Sequence, residues 1–200
     1  MTLPFDPKPV TLEGTHARLE PLALAHAAGL LEAGREEELW LYLFIPPLRT
    51  LDDARIFIER ALADARNGSQ IPFAIIDRKS GSVAGSTRYL DIRRPERGLE
   101  IGWTWLGAAA RRTAINTECK YLLLRHAFEA QGAIRVQIKT DARNLRSQRA
   151  IERIGGVREG VLRRHMIRPY DGFVRDTVMF SIIDTEWPTV KTGLEDRLGR

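Results

Sequence analysis

Cysteine is almost missing from this chain: Cys119 stands alone among 200 residues. An intrachain disulfide is therefore excluded, and one thiol cannot build a metal site by itself. The four histidines are scattered and do not supply the rest, so no metal is expected. Long apolar runs are missing as well. No stretch approaches the roughly 20 residues that a bilayer-spanning helix needs, and the N-terminus lacks a basic-then-apolar leader. Neither glycine signature of nucleotide binding occurs, since there is no GxxxxGKS/T and no GxGxxG opening a helix. The expectation is a soluble, cytoplasmic protein that does not meet a membrane.

What the chain has in excess is positive charge, +5 in formal terms and almost all of it arginine. A basic balance suits nucleic acid, anionic lipid or an anionic ligand. Here acids and bases are interleaved, with no dense basic tract and no aromatic residues spaced through one. A mixed-charge solvated surface is the plainer reading, and nucleic acid is not expected as a partner. The length and an apolar content of 44% fit one domain with a proper core.

Three prolines within the first nine residues mark an extended arm, assigned to residues 1–16. The domain is expected over 17–188, and 189–200 reads as a charged, loose tail. Within the domain, Arg18 to Leu22 is a strand, Ala23 to Ala33 a helix, and Glu36 to Tyr42 a shorter one. Thr50 or Asp52 caps a helix running to about Arg66, whose stripe is Ala54, Phe57, Ile58, Ala61, Leu62 and Ala65. Two strands follow, Phe73 to Asp77 and Val83 to Leu90, around a hairpin loop at Arg78 to Gly81. Later come a strand at Ile134 to Thr140, a helix at Leu145 to Ile154, and strands at Val161 to Ile167 and Val174 to Ile183. This is an α/β mixture in which antiparallel hairpins flank a parallel crossover.

The stretch from Glu100 to Lys120 organises the rest. Leu99, Ile101, Trp103 and Trp105 alternate onto one strand face, with Glu100, Gly102 and Thr104 on the other. Gly107 and three alanines end the strand, and Arg111-Arg112 lead into the capping cluster Thr113, Asn116 and Thr117. From Ile115 the apolar period becomes helical, through Cys119, Leu122, Leu123, Ala127 and Ala130. A helix start offers free N–H groups and a positive dipole end, which suits phosphate. The two arginines add charge-assisted contacts.

EIGWTWL followed by RRxxxNTE resembles the acetyl-CoA-binding core of the GNAT family of N-acetyltransferases, in the branch that includes the ribosomal-protein N-terminal acetyltransferases. The resemblance covers about Arg18 to Ile183 and is densest between Glu100 and Gly155. It implies a single-domain GNAT fold whose mixed sheet, flanked by helices, splays to admit pantetheine. It implies that the backbone of Arg111, Arg112, Thr113, Ala114, Ile115, Asn116 and Thr117 cradles the CoA pyrophosphate. Ala114 and Asn116 stand where the family loop has small-loop glycines; their amides still donate if φ stays negative. It also implies oxyanion donors in a bulge around Trp105 and Leu106, and a pantetheine contact from Asn144.

Acetyl transfer needs a neutral amine, a stabilised oxyanion and a protonated leaving thiolate. Glu100 is the candidate base, on the face of Gly102, where a missing side chain leaves room for substrate. The alternative is a merely paired or surface carboxylate. Ser147 matches the family position near the thiol; it, a water, or no dedicated acid are all open, because Ile151 stands where many relatives place a tyrosine. Asn144 reads equally as an N-cap. Trp103 and Trp105 read as core. Cys119 and His126 read as packed core residues, while His165 is a residue that could face the acceptor pocket.

The expected partners are acetyl-CoA as cosubstrate, an amine acceptor of unspecified type, and a second copy of the chain. The last rests on two apolar strands near the sheet's edge, which Trp187 and the N-terminal arm could instead cover. Two other readings stay open: a non-catalytic acyl-CoA-binding module, and an RNA- or ribosome-associated binding protein.

Overall fold

The computed structural model describes residues 5–200. Eight strands form one sheet in the order β1-β2-β3-β4-β5-β6-β8-β7. They are β1 (Leu12–Glu13), β2 (Ala17–Pro21), β3 (Ile71–Asp77), β4 (Val83–Arg93), β5 (Gly98–Leu106), β6 (Arg135–Asp141), β7 (Val157–Ile167) and β8 (Val174–Ile183). Five α-helices flank the sheet: α1 (Ala27–Ala33), α2 (Leu51–Ala65), α3 (Ala114–Arg125), α4 (Leu145–Arg153) and α5 (Trp187–Leu198). From β2 to β8 the predicted order of elements holds, with β1 and α5 added at the ends, and among the described strands only β5 and β6 run parallel.

Local chemistry explains these elements. Thr50 caps α2 through a reciprocal box: its hydroxyl accepts the Asp53 N–H at 3.1 Å, and Asp53 accepts the Thr50 N–H at 2.8 Å. β3 reads IPFAIID and is buried on both faces, as a central strand must be. On one face, Leu99, Ile101, Val136, Ile138, Val178, Phe180 and Ile182 meet Ile115, Cys119, Leu122 and Leu123 of α3. On the other, Leu30, Trp40, Ala54, Phe57 and Ile58 pack on Ala74, Ile76 and Trp105.

Both ends of the chain are more ordered than the composition indicated. Met1–Pro4 lie outside the described residues, but Phe5 is buried in the core and Leu12–Glu13 pair with β2. The stretch read as a loose tail is α5. Pro188 sits in its first turn, where the missing N–H costs nothing, and Gly199 ends it at φ 68°. Trp187 stacks on Phe128 at 5.4 Å, and Tyr121 donates to Glu195 at 2.7 Å. Trp187, Val190, Leu194 and Leu198 recur at helical spacing, so the signal was present amid the charges.

One feature positions the site. β5 and β6 pair only through Gly98–Arg135, Leu99–Val136 and Glu100–Gln137. Beyond Glu100, β5 keeps β4 as its partner and β6 keeps β8. The two parallel strands part there, leaving a cleft inside the sheet.

Candidate active site

Glu100 is the last β5 residue paired across to β6, and it is only 1% exposed. Its Oε2 accepts from Gln137 Nε2 at 3.1 Å and pairs with Lys139 Nζ at 2.9 Å. The Gln137 amide also donates to Asp91 at 3.0 Å, which fixes it. Of the two readings of this carboxylate, the paired one describes its ground state. Gly102 has a different use from the one expected. A Cβ there would lie 2.7 Å from Glu100 Oε1, so the glycine makes room for the carboxylate itself rather than for substrate.

The alternation of β5 breaks where it matters. Trp105 opposes Ser86 and Gly102 opposes Arg88, so Trp103 and Thr104 share the place of Thr87. Trp103 sits at φ 51°, unusual for a bulky side chain and the mark of a bulge. The extra residue switches faces. Leu99 and Ile101 face α3, whereas Trp105 packs between Trp40 (5.0 Å) and Phe57 (6.3 Å) on the opposite side. Thr104 turns to the α3 side, where its Oγ1 meets Lys120 Nζ and Thr87 Oγ1, each at 2.7 Å. The bulge thus precedes the expected position. Trp105 and Leu106 themselves pair with Ser86 and Gly85, and both tryptophans contribute to the core, Trp103 partly.

At the far end of β5 the chain turns into α3. Thr113 is the N-cap, its Oγ1 accepting the Ile115 N–H at 3.3 Å and donating to Ala110 O at 2.7 Å. Ala114, Asn116 and Thr117 lie in the first turn. The left-handed residue of the loop is Arg112, at φ 59°, with an exposed side chain. Arg111 is tied down: Nε donates to Leu106 O at 3.0 Å and Nη1 pairs with Glu36 at 2.5 Å, leaving Nη2 buried without a partner among the described residues. A cavity of about 730 Å³ opens beside this helix start, lined in part by Thr113, Ala114, Ile115, His16 and Arg78.

Asn144 is the N-cap of α4, its Oδ1 accepting the Ser147 N–H at 3.0 Å. The capping role occupies the oxygen. Both residues are half-buried and follow β6 directly, at the β6 side of the cleft. Cys119 lies in the core as read, its thiol pushed up to about 12 by burial. His126 stacks near Tyr89 at 6.4 Å, and burial holds it below the usual imidazole range.

The sequence reading missed a polar face. Cross-strand partners share a face, so the pairs Gln137–Ser181 and Asp141–Thr177, with Lys139, Glu100 and Arg175, line one side of β5, β6 and β8. Their neighbours Val136, Ile138, Val178 and Phe180 face the dry core on the other side. Asp141 is bridged by Arg143 at 2.9 Å. Burial opposes its ionisation, but the hydrogen bonds and charge of Arg143 hold it below the usual carboxylate range. The Arg143 guanidinium lies over Phe173 at 3.8 Å and Tyr42 at 5.6 Å, so the 41–44 segment roofs this face. His165, on β7, is depressed by partial burial and by the charges of Lys139 and Arg175, with Glu100 opposing. The alternation Gln137-Lys139-Asp141 between apolar residues was the available signal.

The sequence profile of the acetyltransferase (GNAT) domain matches residues 16–157. A GCN5-related N-acetyltransferase from Brucella melitensis is 31% identical, with a TM-score of 0.89 over 96% of this chain and 86% of that one. A protein from T. thermophilus assigned to the acetyltransferases is 42% identical, with a TM-score of 0.87 over 96% and 98%. Mycobacterium smegmatis RimJ, solved with CoA-disulfide, shares the fold at 21% identity, with a TM-score of 0.79 over 96% of both chains. The chain belongs to the GNAT family of N-acetyltransferases.

Proposed function

We propose that the protein transfers the acetyl group of acetyl-CoA to a primary amine by direct attack on the thioester. The observation that carries the reading is the parting of β5 from β6 immediately beyond a buried carboxylate, with a helix start at the end of the same strand. Two features suit the cosubstrate. Arg111 holds a buried guanidinium nitrogen with no protein partner beside the helix start, and the α3 N-terminus favours phosphate. That a protein with this fold was solved in complex with CoA-disulfide supports CoA as the cosubstrate.

In this reading Arg111 to Thr117 hold the pyrophosphate, and Asn144 contacts the pantetheine through its free amide N–H groups. Glu100 takes a proton from the incoming ammonium. The amine nitrogen then bonds to the acetyl carbon, backbone N–H groups at the β5 bulge receive the oxyanion, and the carbon–sulfur bond breaks. The attacking nitrogen gives up its surplus proton as the adduct collapses, and the leaving thiolate takes up one proton near Ser147, so that the two transfers balance. The products are the acetylated amine and CoA.

The test is a panel of primary amines followed by thiol release, with calorimetry of CoA alongside. Arg112→Glu is expected to weaken CoA binding at least roughly tenfold through repulsion. Unchanged affinity in a folded variant would remove the phosphate placement. We also infer a two-fold dimer. Neither expected cover reaches the edge strand β7: the arm pairs at the opposite edge and Trp187 packs on Phe128. Val161, Leu162 and Ile167 stay exposed along β7. A monomeric mass by light scattering over a wide concentration range overturns the dimer.

A further inference from the structure

Two arginines are buried in this sheet, and their surroundings differ. Arg88 is 2% exposed and, although its Nε is buried without a partner among the described residues, it has a carboxylate within reach: Nη1 donates to Gln70 Oε1 at 3.0 Å, Asp64 stands 3.9 Å away, and its guanidinium lies near Phe57 and Trp103, 5.3 and 4.5 Å from the ring centres. Arg175 is 7% exposed, and the single hydrogen bond of its side chain among the described residues runs from Nε to Thr177 Oγ1 at 3.1 Å. Its Nη2 is buried without a partner, and the Phe44 ring stands 5.2 Å from the guanidinium carbon. A buried charge left unpaired is costly, so a built site of this kind points to an anion that arrives from outside.

The neighbouring carboxylates Asp141 and Glu100 favour the charge on Arg175 from a distance but do not pair with it. Asp141 is engaged by Arg143 and Glu100 by Lys139, each at 2.9 Å. Lys139 and Arg143 are matched by Glu100 and Asp141, and Arg175 stands as the further cation of this group. Arg175 shares the face of Glu100 and lies toward the end of β6 where the cleft has opened. Resting on the acetyl-transfer reading, we propose that the acceptor is an amine carrying a carboxylate. Arg175 receives that carboxylate through its free Nη2, while the amine lies toward Glu100. A polycationic acceptor would meet the same positive cluster and be repelled.

The test reads binding apart from turnover. Calorimetry on the CoA-saturated protein compares N-acetylglycine, N-acetyl-β-alanine, N-acetyl-γ-aminobutyrate and a set of N-acetyl-α-amino acids, each against its own primary amide. At least one acid is expected to bind roughly tenfold or more tightly than its amide, the scale of a charge-assisted hydrogen bond. Arg175→Met should abolish the difference and Arg175→Lys should keep part of it. The acid–amide contrast in the unaltered protein stands even if a variant fails to fold. Equal binding of every acid and amide, or no binding of either, overturns the proposal. An acid preference without thiol release from any free amine keeps the carboxylate site and removes the acetyl-transfer reading instead.

Discussion

Two glutamates are buried on opposite faces of the sheet, and the chain treats them differently. Glu118, on α3, is completely inaccessible. It accepts the backbone N–H groups of Thr15, His16 and Ala17 at 2.9, 2.5 and 2.6 Å, and it is bridged by Arg200. A Cβ on Gly14 would lie 2.3 Å from its carboxyl carbon, so the β1–β2 turn is moulded around it. Glu100 has two side-chain partners, Gln137 and half-exposed Lys139, at the edge of a cleft. The first carboxylate is satisfied by backbone and joins the turn, α3 and the last residue of the chain. The second is held by Gln137, itself fixed by Asp91, and by Lys139, which is free to turn toward something else. Completion by the chain's own backbone marks structure; completion by side chains beside an opening suits the chemistry proposed for Glu100.

Substitution should separate the two sharply. Glu118→Ala strips three buried N–H groups and Arg200 of their acceptor, and should cost about 3–5 kcal/mol, as for a broken buried ion pair. Denaturant unfolding measures it, and a loss below about 1 kcal/mol would make the two glutamates equivalent. Glu100→Gln keeps the shape and can still accept from Gln137. It should leave stability nearly unchanged while lowering turnover on the order of a hundredfold. Full activity in that variant would leave His165, or an already neutral amine, to do without the carboxylate.

The difference between these glutamates was only half legible beforehand. Both lie in the stretch that organises the chain, and its strand-loop-helix order, with the family motif on it, could be read directly. Thr113, Asn144 and Thr50 cap as their residue types suggest, because capping is local chemistry. The face switch in β5 could not be read. GWTW alternates, and nothing in it announces that Trp103 takes a left-handed conformation; the bulge shows only in the pairing with β4. Arg175 was one arginine among many, since burial of a guanidinium depends on which strands become neighbours. The crossing order β6-β8-β7 creates that environment from residues far apart in sequence.

The α3 face carries a second charged group, and its titration sharpens the comparison. Lys120 is 6% exposed, and burial brings its ammonium down to about 8, with Thr104 as its hydrogen-bond partner at 2.7 Å. Between that value and 10.5 the unfolded chain keeps a proton that the folded chain has released, so stability rises with pH. Cys119 acts oppositely: from 9 upward the unfolded thiol ionises while the folded one stays protonated to about 12. The two cancel above pH 9, and Tyr89, whose hydroxyl burial also keeps protonated, adds to a decline above pH 10. Stability should therefore climb by about 1 kcal/mol between pH 8 and 9. Lys120→Met should erase that climb, and a climb that survives it would assign the proton elsewhere.

The smallest effect is expected at Cys119, immediately between those two charged neighbours. Its side chain is 1% exposed and packs in the core with Ile115, Leu122 and Leu123. A thiol held at about 12 is not a thiolate at neutral pH, and the thiolate is the nucleophile. Direct transfer needs no acyl-enzyme, so this sulfur has packing to contribute and nothing more. Cys119→Ala should cost about 1 kcal/mol from a small cavity, with thiol release from acetyl-CoA continuing at close to the original rate. The native protein should also react with iodoacetamide only as fast as it unfolds. Loss of turnover in a variant that folds and binds CoA normally would move Cys119 from the structural face of this comparison to the chemical one.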